Sequence, residues 1–442
     1  MNRNVVVLHR FSWVLQLIWS SIAGSVIRLG RRVSGKRPRI WHGTFPMHMI
    51  KDMVDVDRLA GFTSFSIVHH TRLNPSYSLV NADDFDVVVA QDGHTWDVLH
   101  WATLCTFLRR ADIFVMFFDT RFSAITRPEK TKLALSIMRW CGIRLIALPS
   151  GLDVVFLDQR TSRYGFLERL QKDYQQWDLE SDRVHTRKMI QTICNNVDLV
   201  VSGDSVCSRF LMREDLRFKY FPVNISVDNT SEKNEQGRPL IVHAPNHRNI
   251  KGTASLVTAT QRLRDAGFEF ELRLVEKIPP PEAIEIYAQA DIIADQFCIG
   301  AFGVFALEGL ALGKPVLTYL DEEHLGDPIF NLPIVNTNPE NLERVLAALI
   351  DVPELRTRLG YAGQSAVERY QSPNALAEVW SRIYRHLWWG EPLELEVTRH
   401  FSPERKPRSF TEDPALEKFW PVDIEDLLPR IQAAMRRVEC TT

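Results

Sequence analysis

A chain of 442 residues is too long for one ordinary core, so two domains are the first expectation. With 45% hydrophobic and 24% charged residues it reads as a soluble, globular protein. A formal net charge of −2 excludes a general nucleic-acid signature, while an anionic small ligand needs only local positive charge. The six cysteines (Cys105, Cys141, Cys194, Cys207, Cys298 and Cys440) are scattered without a CxxC pair or metal-ligand spacing. Most sit inside apolar runs, so a reducing compartment is expected, with neither a disulfide framework nor a zinc site.

The first element is "FSWVLQLIWSSIAGSVI", Phe11 to Ile27, uncharged and followed by Arg28, Arg31, Arg32, Lys36, Arg37 and Arg39. It falls short of the about 20 apolar residues of a full span, and no small-residue cleavage site follows it. Phe11, Val14, Leu15, Ile18, Ile22, Val26 and Leu29 recur at helical spacing on one side. Residues 1–37 therefore read as an amphipathic helix with a basic flank, suited to an anionic, cytoplasmic membrane surface. The alternatives are a helix packed on the neighbouring domain and a true membrane span.

From about Pro38 the chain alternates short apolar runs with helical segments. The candidate strands are "RIWHG", "FTSFSIVHH", "FDVVVAQD", "DIFVMFFDT", "RLIALPSG" and "DLVVSGD". Each is nearly continuously apolar and ends in polar or glycine residues, as expected of parallel strands buried on both faces with functional loops at their carboxyl ends. Residues 38–222 thus read as a doubly wound α/β domain. "FPVNISVDNTSEKNEQGRP" breaks the alternation, and 223–239 reads as an interdomain linker. A second α/β unit follows over 240–388: "LIVHAPN", a helix from about Thr253 to Ala266, "FELRLVE", a helix from Pro281, "DIIADQF", "PVLTYL" and "PIVNT". One helical pattern then runs from about Asn341 into Trp388. The remainder, 389–442, is a C-terminal extension with a closing helix that packs back.

Two stretches of the second unit carry candidate chemistry. In "HAPNHRNIKGT" a strand ends at His243, Asn246 lies in the loop, and Arg248 and Lys251 stand near a helix start. Two cations beside free backbone amides make an anion site, although ordinary surface cations on a solvated loop fit the same letters. In "GAFGVFALEGLALGKPV", Gly300 and Gly303 let backbone approach a ligand, and a helix from about Val304 points its positive end there. Glu308 stands one turn in, flanked by Leu307 and Leu310, and a buried acid needs a partner. Ribose hydroxyls, an arginine or backbone amides would serve. Gly313-Lys314-Pro315 ends the helix and begins the next strand.

Together these stretches resemble the nucleotide-sugar half of retaining glycosyltransferases of the GT-B fold, the family 4 type. The resemblance spans about Pro38 to Leu387 and is strongest over Leu240 to Val316; "FDVVVAQDG", "LIALPSGLDVV" and "FPVNISVD" match more loosely. It implies two Rossmann-like doubly wound domains facing a central cleft. It implies that Arg248 and Lys251 bind and stabilise the donor diphosphate as catalytic groups. Glu308 would hold the ribose, with His243, Asn246 and the backbone of Gly300, Phe302, Gly303 and Val304 lining the donor. The family's motif places an earlier glutamate at position 300, where this chain has Gly300, and its Arg and Lys are usually further apart.

On the acceptor side the family commonly has a histidine where Gln91 and Asp92 stand. His94 lies close and is the third catalytic candidate, with Asp92, Asp153, His42 and Gly43 as further acceptor-side candidates. For these the alternatives are loop capping and turn formation. His69 and His70 point to opposite strand faces and are not assigned. Retaining transfer of this type is thought to need no strong protein base, because the departing diphosphate takes the acceptor's proton.

The resemblance therefore implies a glycosyltransferase (EC 2.4 class) moving a sugar from a nucleotide-diphosphate sugar to a lipid-linked or polysaccharide acceptor, with retention, in cell-surface glycan biosynthesis. It would be cytoplasmic or peripheral on the cytoplasmic membrane face, with no cofactor and no metal beyond the donor substrate. A non-catalytic nucleotide-sugar-binding scaffold of the same fold and a nucleotide-sugar epimerase are the alternatives.

Overall fold

The structure, a computed structural model, describes residues 3–44, 48–69, 86–89, 104–118, 128–149, 151, 153–154, 164–173, 182–203, 205–223, 225, 237–321, 332–393 and 413–439. It divides into two compact units. Unit 1 comprises Met1–Phe156, Glu180–Pro222 and Pro373–Val397; unit 2 comprises Leu157–Leu179, Val223–Ser372 and Thr398–Thr442.

In unit 1 the strands are β1 (Arg39–Thr44), β2 (Thr63–His69), β3 (Val87–Val89), β4 (Ile113–Phe117), β5 (Arg144–Leu148), β6 (Leu199–Ser202) and β7 (Leu216–Arg217). They form a sheet in the order β3-β2-β1-β4-β5-β6-β7, and every pairing in it is parallel. The apolar runs of β4, β5 and β6 are almost wholly buried, which is what a parallel sheet covered on both faces requires. β7 has no counterpart among the candidate strands, because two residues give no periodic signal.

The helices before the second unit are α1 (Arg3–Val33), α2 (His48–Leu59), α3 (104–110), α4 (Pro128–Trp140), α5 (Phe166–Asp173), α6 (Asp182–Cys194) and α7 (Ser205–Ser208). Of these only α5 belongs to unit 2.

α1 docks on unit 1 through its polar side. Arg28 is buried and donates to the carbonyls of Leu108 (2.8 Å), Ala111 (2.9 Å) and Cys141 (2.8 Å). At Gly24 a side chain would run into the Leu108 carbonyl, so glycine sets the close approach. Ser20 and Ser21 are buried on the same side. Among the described residues no helix is long and apolar enough to cross a membrane.

In unit 2 the strands are β8 (Leu240–His243), β9 (Glu271–Leu274), β10 (Ile292–Gln296), β11 (Val316–Thr318) and β12 (Val335–Asn336), all parallel, in the order β12-β11-β10-β8-β9. The helices are α8 (Arg248–Lys251), α9 (Thr253–Asp265), α10 (Pro280–Gln289), α11 (Val304–Ala311), α12 (Leu342–Asp351) and α13 (Pro353–Gln371), and later α15 (Leu428–Glu439).

The sheet separates two apolar layers. One gathers Leu256 and Leu263 of α9, Leu346 of α12, and Phe419, Trp420, Ile431 and Met435 from the C-terminal segment. The other gathers Tyr287 of α10 with Phe305 and Leu310 of α11. This is a doubly wound layer arrangement, and the closing helix α15 is part of its core rather than an appendage.

The single helical pattern expected from Asn341 to Trp388 is three helices. Pro353 and Pro373 stand at the first positions of α13 and of α14 (Pro373–Trp389), where proline is tolerated, and end the preceding helix because they lack an N–H.

The expected unit limits change accordingly. The chain leaves unit 1 after Pro222, but α14 packs within unit 1 and residues 157–179 within unit 2. α14 is held in unit 1 by Arg32, which donates to the Trp388 carbonyl at 2.6 Å and lies over its ring, and by Tyr384, whose hydroxyl donates to Asp57 at 2.9 Å.

Candidate functional site

In unit 2 the strand order reverses between β8 and β10, whose chain connections run to opposite sides. The carboxyl ends of strands at such a reversal are where open α/β sheets bind ligands. β8 ends at His243 and leads into "APNHRNIKG"; β10 ends at Gln296 and leads into "FCIGAFG". Both candidate motifs therefore meet at the one place in this sheet where topology opens a crevice.

Lys251 is the side chain that joins them. Its carbonyl accepts from Phe297 N–H at 3.1 Å, which ties the end of α8 to the loop after β10. The following Gly252 has φ +74°, and a side chain there would press on Cys298 Sγ at 2.9 Å, so the turn admits only glycine. The ammonium donates to Asp295 Oδ1 at 2.6 Å. It also lies 3.8 Å from where a Gly303 side chain would stand, directly over the residue that caps α11.

Asp295 is fully buried, and its Oδ2 accepts from Gly303 N–H at 3.3 Å and Thr318 Oγ1 at 3.4 Å. The register of β10 against β11 slips between Ala294 and Gln296, and this bulge releases Asp295 from the ladder. A cation, a glycine backbone and a helix N-terminus thus converge, and together they suit a phosphate-bearing ligand.

Gln296 shapes the glycine loop. Its Oε1 accepts from Ile299 N–H at 2.8 Å and Cys298 N–H at 3.3 Å, and its Nε2 donates to the carbonyls of Ala301 and Tyr319. Gly300 sits in that loop with φ +92° and holds Asp321 N–H on its carbonyl at 2.9 Å. A side chain at 300 would meet Asp321 Cβ at 2.9 Å. Gly300 is therefore built into this backbone.

Several expectations are corrected here. The Ile250 amide of α8 is not free: Asp173 of α5 accepts it at 2.8 Å and also accepts from the Asn249 side-chain amide at 2.7 Å, capping the helix from a distant element. Arg248 is exposed and forms a two-bond pair with Glu276 (2.9 and 2.5 Å), which holds that carboxyl below its usual range.

His243 is buried with both nitrogens engaged, Nδ1 with the Ala294 carbonyl (2.7 Å) and Nε2 with Thr253 Oγ1 (2.9 Å). Since a carbonyl only accepts, Nδ1 carries the proton and Nε2 accepts from the threonine. Burial pushes this imidazole down to about 4, and Lys251 adds to the effect. It is a strap between β8, β10 and α9.

Phe302 packs into the apolar layer behind α11 because its side chain is turned into the core. Asn246 is exposed, and Val304 is half-buried at the helix start. Glu308 is half-buried one turn further, and its charge, after burial, helps to raise the Tyr287 phenol.

Of the acceptor-side candidates, His94 and Asp92 lie outside the described residues. Asp153 is buried in unit 1. His42 is buried on β1 with Nε2 2.6 Å from Asp57 Oδ2, and Asp57 also accepts from Ser64 Oγ (2.8 Å) and Tyr384. Its Nδ1 has no partner among the described residues. Gly43 does not make room for a ligand: its missing side chain is filled by the backbone and side chain of Ile67 on β2. Asp295, Gln296 and Asp173 were not among the candidates from sequence.

The two parallel sheets and their helices form a two-domain α/β fold of the GT-B type. The sequence matches no family model and no curated protein. Among solved structures the chain is similar to HepE of Anabaena in complex with UDP, at TM-score 0.51 and 10% identity over 78% of this chain and 99% of that one. It is similar to the catalytic domain of starch synthase IV from Arabidopsis thaliana bound to ADP and acarbose, at TM-score 0.50 and 11% identity over 80% and 100% of the two chains. Sucrose-phosphate synthase from Thermosynechococcus elongatus gives TM-score 0.49 and 11% identity over 80% and 100%.

Proposed function

We propose that the protein is a glycosyltransferase that takes a sugar from a nucleotide-diphosphate sugar and transfers it, with retention, to a lipid-linked or polysaccharide acceptor in cell-surface glycan biosynthesis. The observation that carries this reading is the placement of Lys251 over Gly303 and the start of α11, at the strand-order reversal of unit 2. UDP and ADP in the similar structures are the ligand class such a site takes.

In this reading the Lys251 ammonium and the first amides of α11 receive the diphosphate, and Arg248 turns from Glu276 to join them. Charge on the departing diphosphate is stabilised chiefly by Lys251 and the α11 amides, which are already fixed in place, and this is where most of the catalytic effect would arise. Glu308, one turn inside α11, accepts from the ribose hydroxyls. The acceptor's proton leaves with the diphosphate, so no strong protein base is called for. The donor is the only co-substrate the reaction uses.

Isothermal titration with UDP, ADP and GDP, followed by a panel of their sugars, tests the site. Lys251→Ala is expected to weaken nucleoside diphosphate binding about 10- to 100-fold. Unchanged affinity in both Lys251→Ala and Glu308→Ala would remove the reading. Incubation of one labelled donor with membrane extract then separates transfer from the alternatives. Binding without any product marks a scaffold, and a changed sugar still on its nucleotide marks an epimerase.

A further inference from the structure

α1 is an amphipathic helix docked the wrong way round for a soluble protein. Its buried side carries Ser20, Ser21, Gly24 and Arg28, and the three Arg28 bonds to Leu108, Ala111 and Cys141 fix which side that is. Its outer side exposes Leu15, Ile18, Trp19, Ile22, Val26, Leu29 and Val33, with Trp19 at 66% and Val33 at 82%. These positions recur every three to four residues, so they form one continuous stripe about 27 Å long at 1.5 Å per residue. A ridge of that kind is larger than the scattered apolar residues a monomer normally leaves in water.

What covers the ridge is indicated by charge. No acidic residue precedes Asp52 in the sequence. The segments that receive Arg28 bring exposed Arg109, Arg110 and Arg139 to the same docking site, together with Trp140, which is 79% exposed. Exposed Arg32, Lys36 and Arg37 continue the positive charge past the end of the helix. A second copy of the chain would set this basic surface against itself, which is unfavourable. An anionic lipid surface satisfies both properties: indoles and aliphatic chains enter the acyl boundary while the guanidinium groups meet headgroups.

We propose that the outer stripe of α1, with its arginine flank, is a docking surface for an anionic lipid bilayer, on which the helix lies in the plane without crossing. This stands on α1 and the unit 1 segments it docks on, and is independent of the candidate site in unit 2.

The test is flotation of the full-length protein with vesicles of phosphatidylcholine alone or mixed equally with phosphatidylglycerol, at low and high salt. Binding is expected on the mixed vesicles, about tenfold weaker or more on the neutral ones and at high salt. The combined variant Trp19→Glu, Ile22→Glu, Val26→Glu should lose it by a similar factor while melting like wild type, since all three side chains are exposed. Arg109→Glu with Arg110→Glu should lose only the preference for the anionic vesicles. Failure of wild type to float with either vesicle, equal flotation with both, or undiminished flotation of the stripe variant would overturn the proposal. So would a wild-type dimer that the stripe variant dissolves.

Discussion

Lys251 Nζ and Asp295 Oδ1 are 2.6 Å apart, and the second oxygen of the same carboxylate reaches the Gly303 amide at 3.3 Å. One buried carboxylate therefore holds the cation and the glycine backbone together. The pair also fixes the order in which the site fails. Removing the ammonium strands a charge on Asp295, whereas removing the carboxylate leaves a lysine that still reaches solvent.

Lys251→Met is accordingly expected to destabilise unit 2 by about 3 kcal/mol, as when one partner of a buried pair is removed. The double variant Lys251→Met with Asp295→Asn should recover part of that loss, because an amide still accepts from Gly303 and Thr318 without a buried charge. Chemical denaturation of wild type, both single variants and the double variant measures it. Additive losses would show that the two side chains are not coupled.

Two glycines eight letters of loop and helix away from Glu308 or closer behave differently under substitution. Gly300 has φ +92° and faces Asp321 Cβ, while Gly303 is extended, with only the Lys251 ammonium at 3.8 Å from a new side chain. Gly300→Ala should therefore cost about 2 kcal/mol, or about 4–8 °C in Tm. Gly303→Ala should melt close to wild type and lose nucleoside diphosphate affinity instead. Gly300→Glu, with a larger side chain at the same left-handed position, should melt lower still rather than bind better. Thermal melting with and without UDP or ADP distinguishes these outcomes, and equal melting of Gly300→Ala and wild type would contradict the strained loop.

Much of the layout of the unit 2 site is legible in the sequence, because glycines and apolar runs punctuate it. The helix start at Val304, the glycine approach and the position of Lys251 are all placed by local signals. The partners are not legible. Asp295 sits inside an apolar strand run, and only the bulge against β11 turns it toward Lys251. Asp173 caps α8 from 76 positions away along the chain, a relation no local pattern encodes. The amphipathic pattern of α14 says that one face is buried, but that Tyr384 meets Asp57 on α2 is decided by tertiary packing. α1 is the converse case: the spacing of Leu15, Ile18, Ile22, Val26 and Leu29 marks a stripe, and only the bonds of Arg28 show that it faces outward.

His243 gives a stability signature in pH. Its imidazole is buried between Ala294 and Thr253, and burial, reinforced by Lys251, pushes it down to about 4 from an ordinary 6.5. A folded value below the unfolded one means that the unfolded chain takes the proton first. Stability contributed by the neutral ring is therefore complete above about pH 6.5 and is lost as pH falls toward about 4. Between pH 7.5 and pH 5 the loss is about 2 kcal/mol. Denaturation of wild type and His243→Gln at those two pH values isolates it, because every other titrating group is common to both proteins. The stability difference between them should shrink by about that amount on acidification. A difference that stays constant would mean that burial does not shift the ring, and one that grows on acidification would mean the ring is already protonated at neutral pH, with Thr253 accepting from Nε2 rather than donating to it.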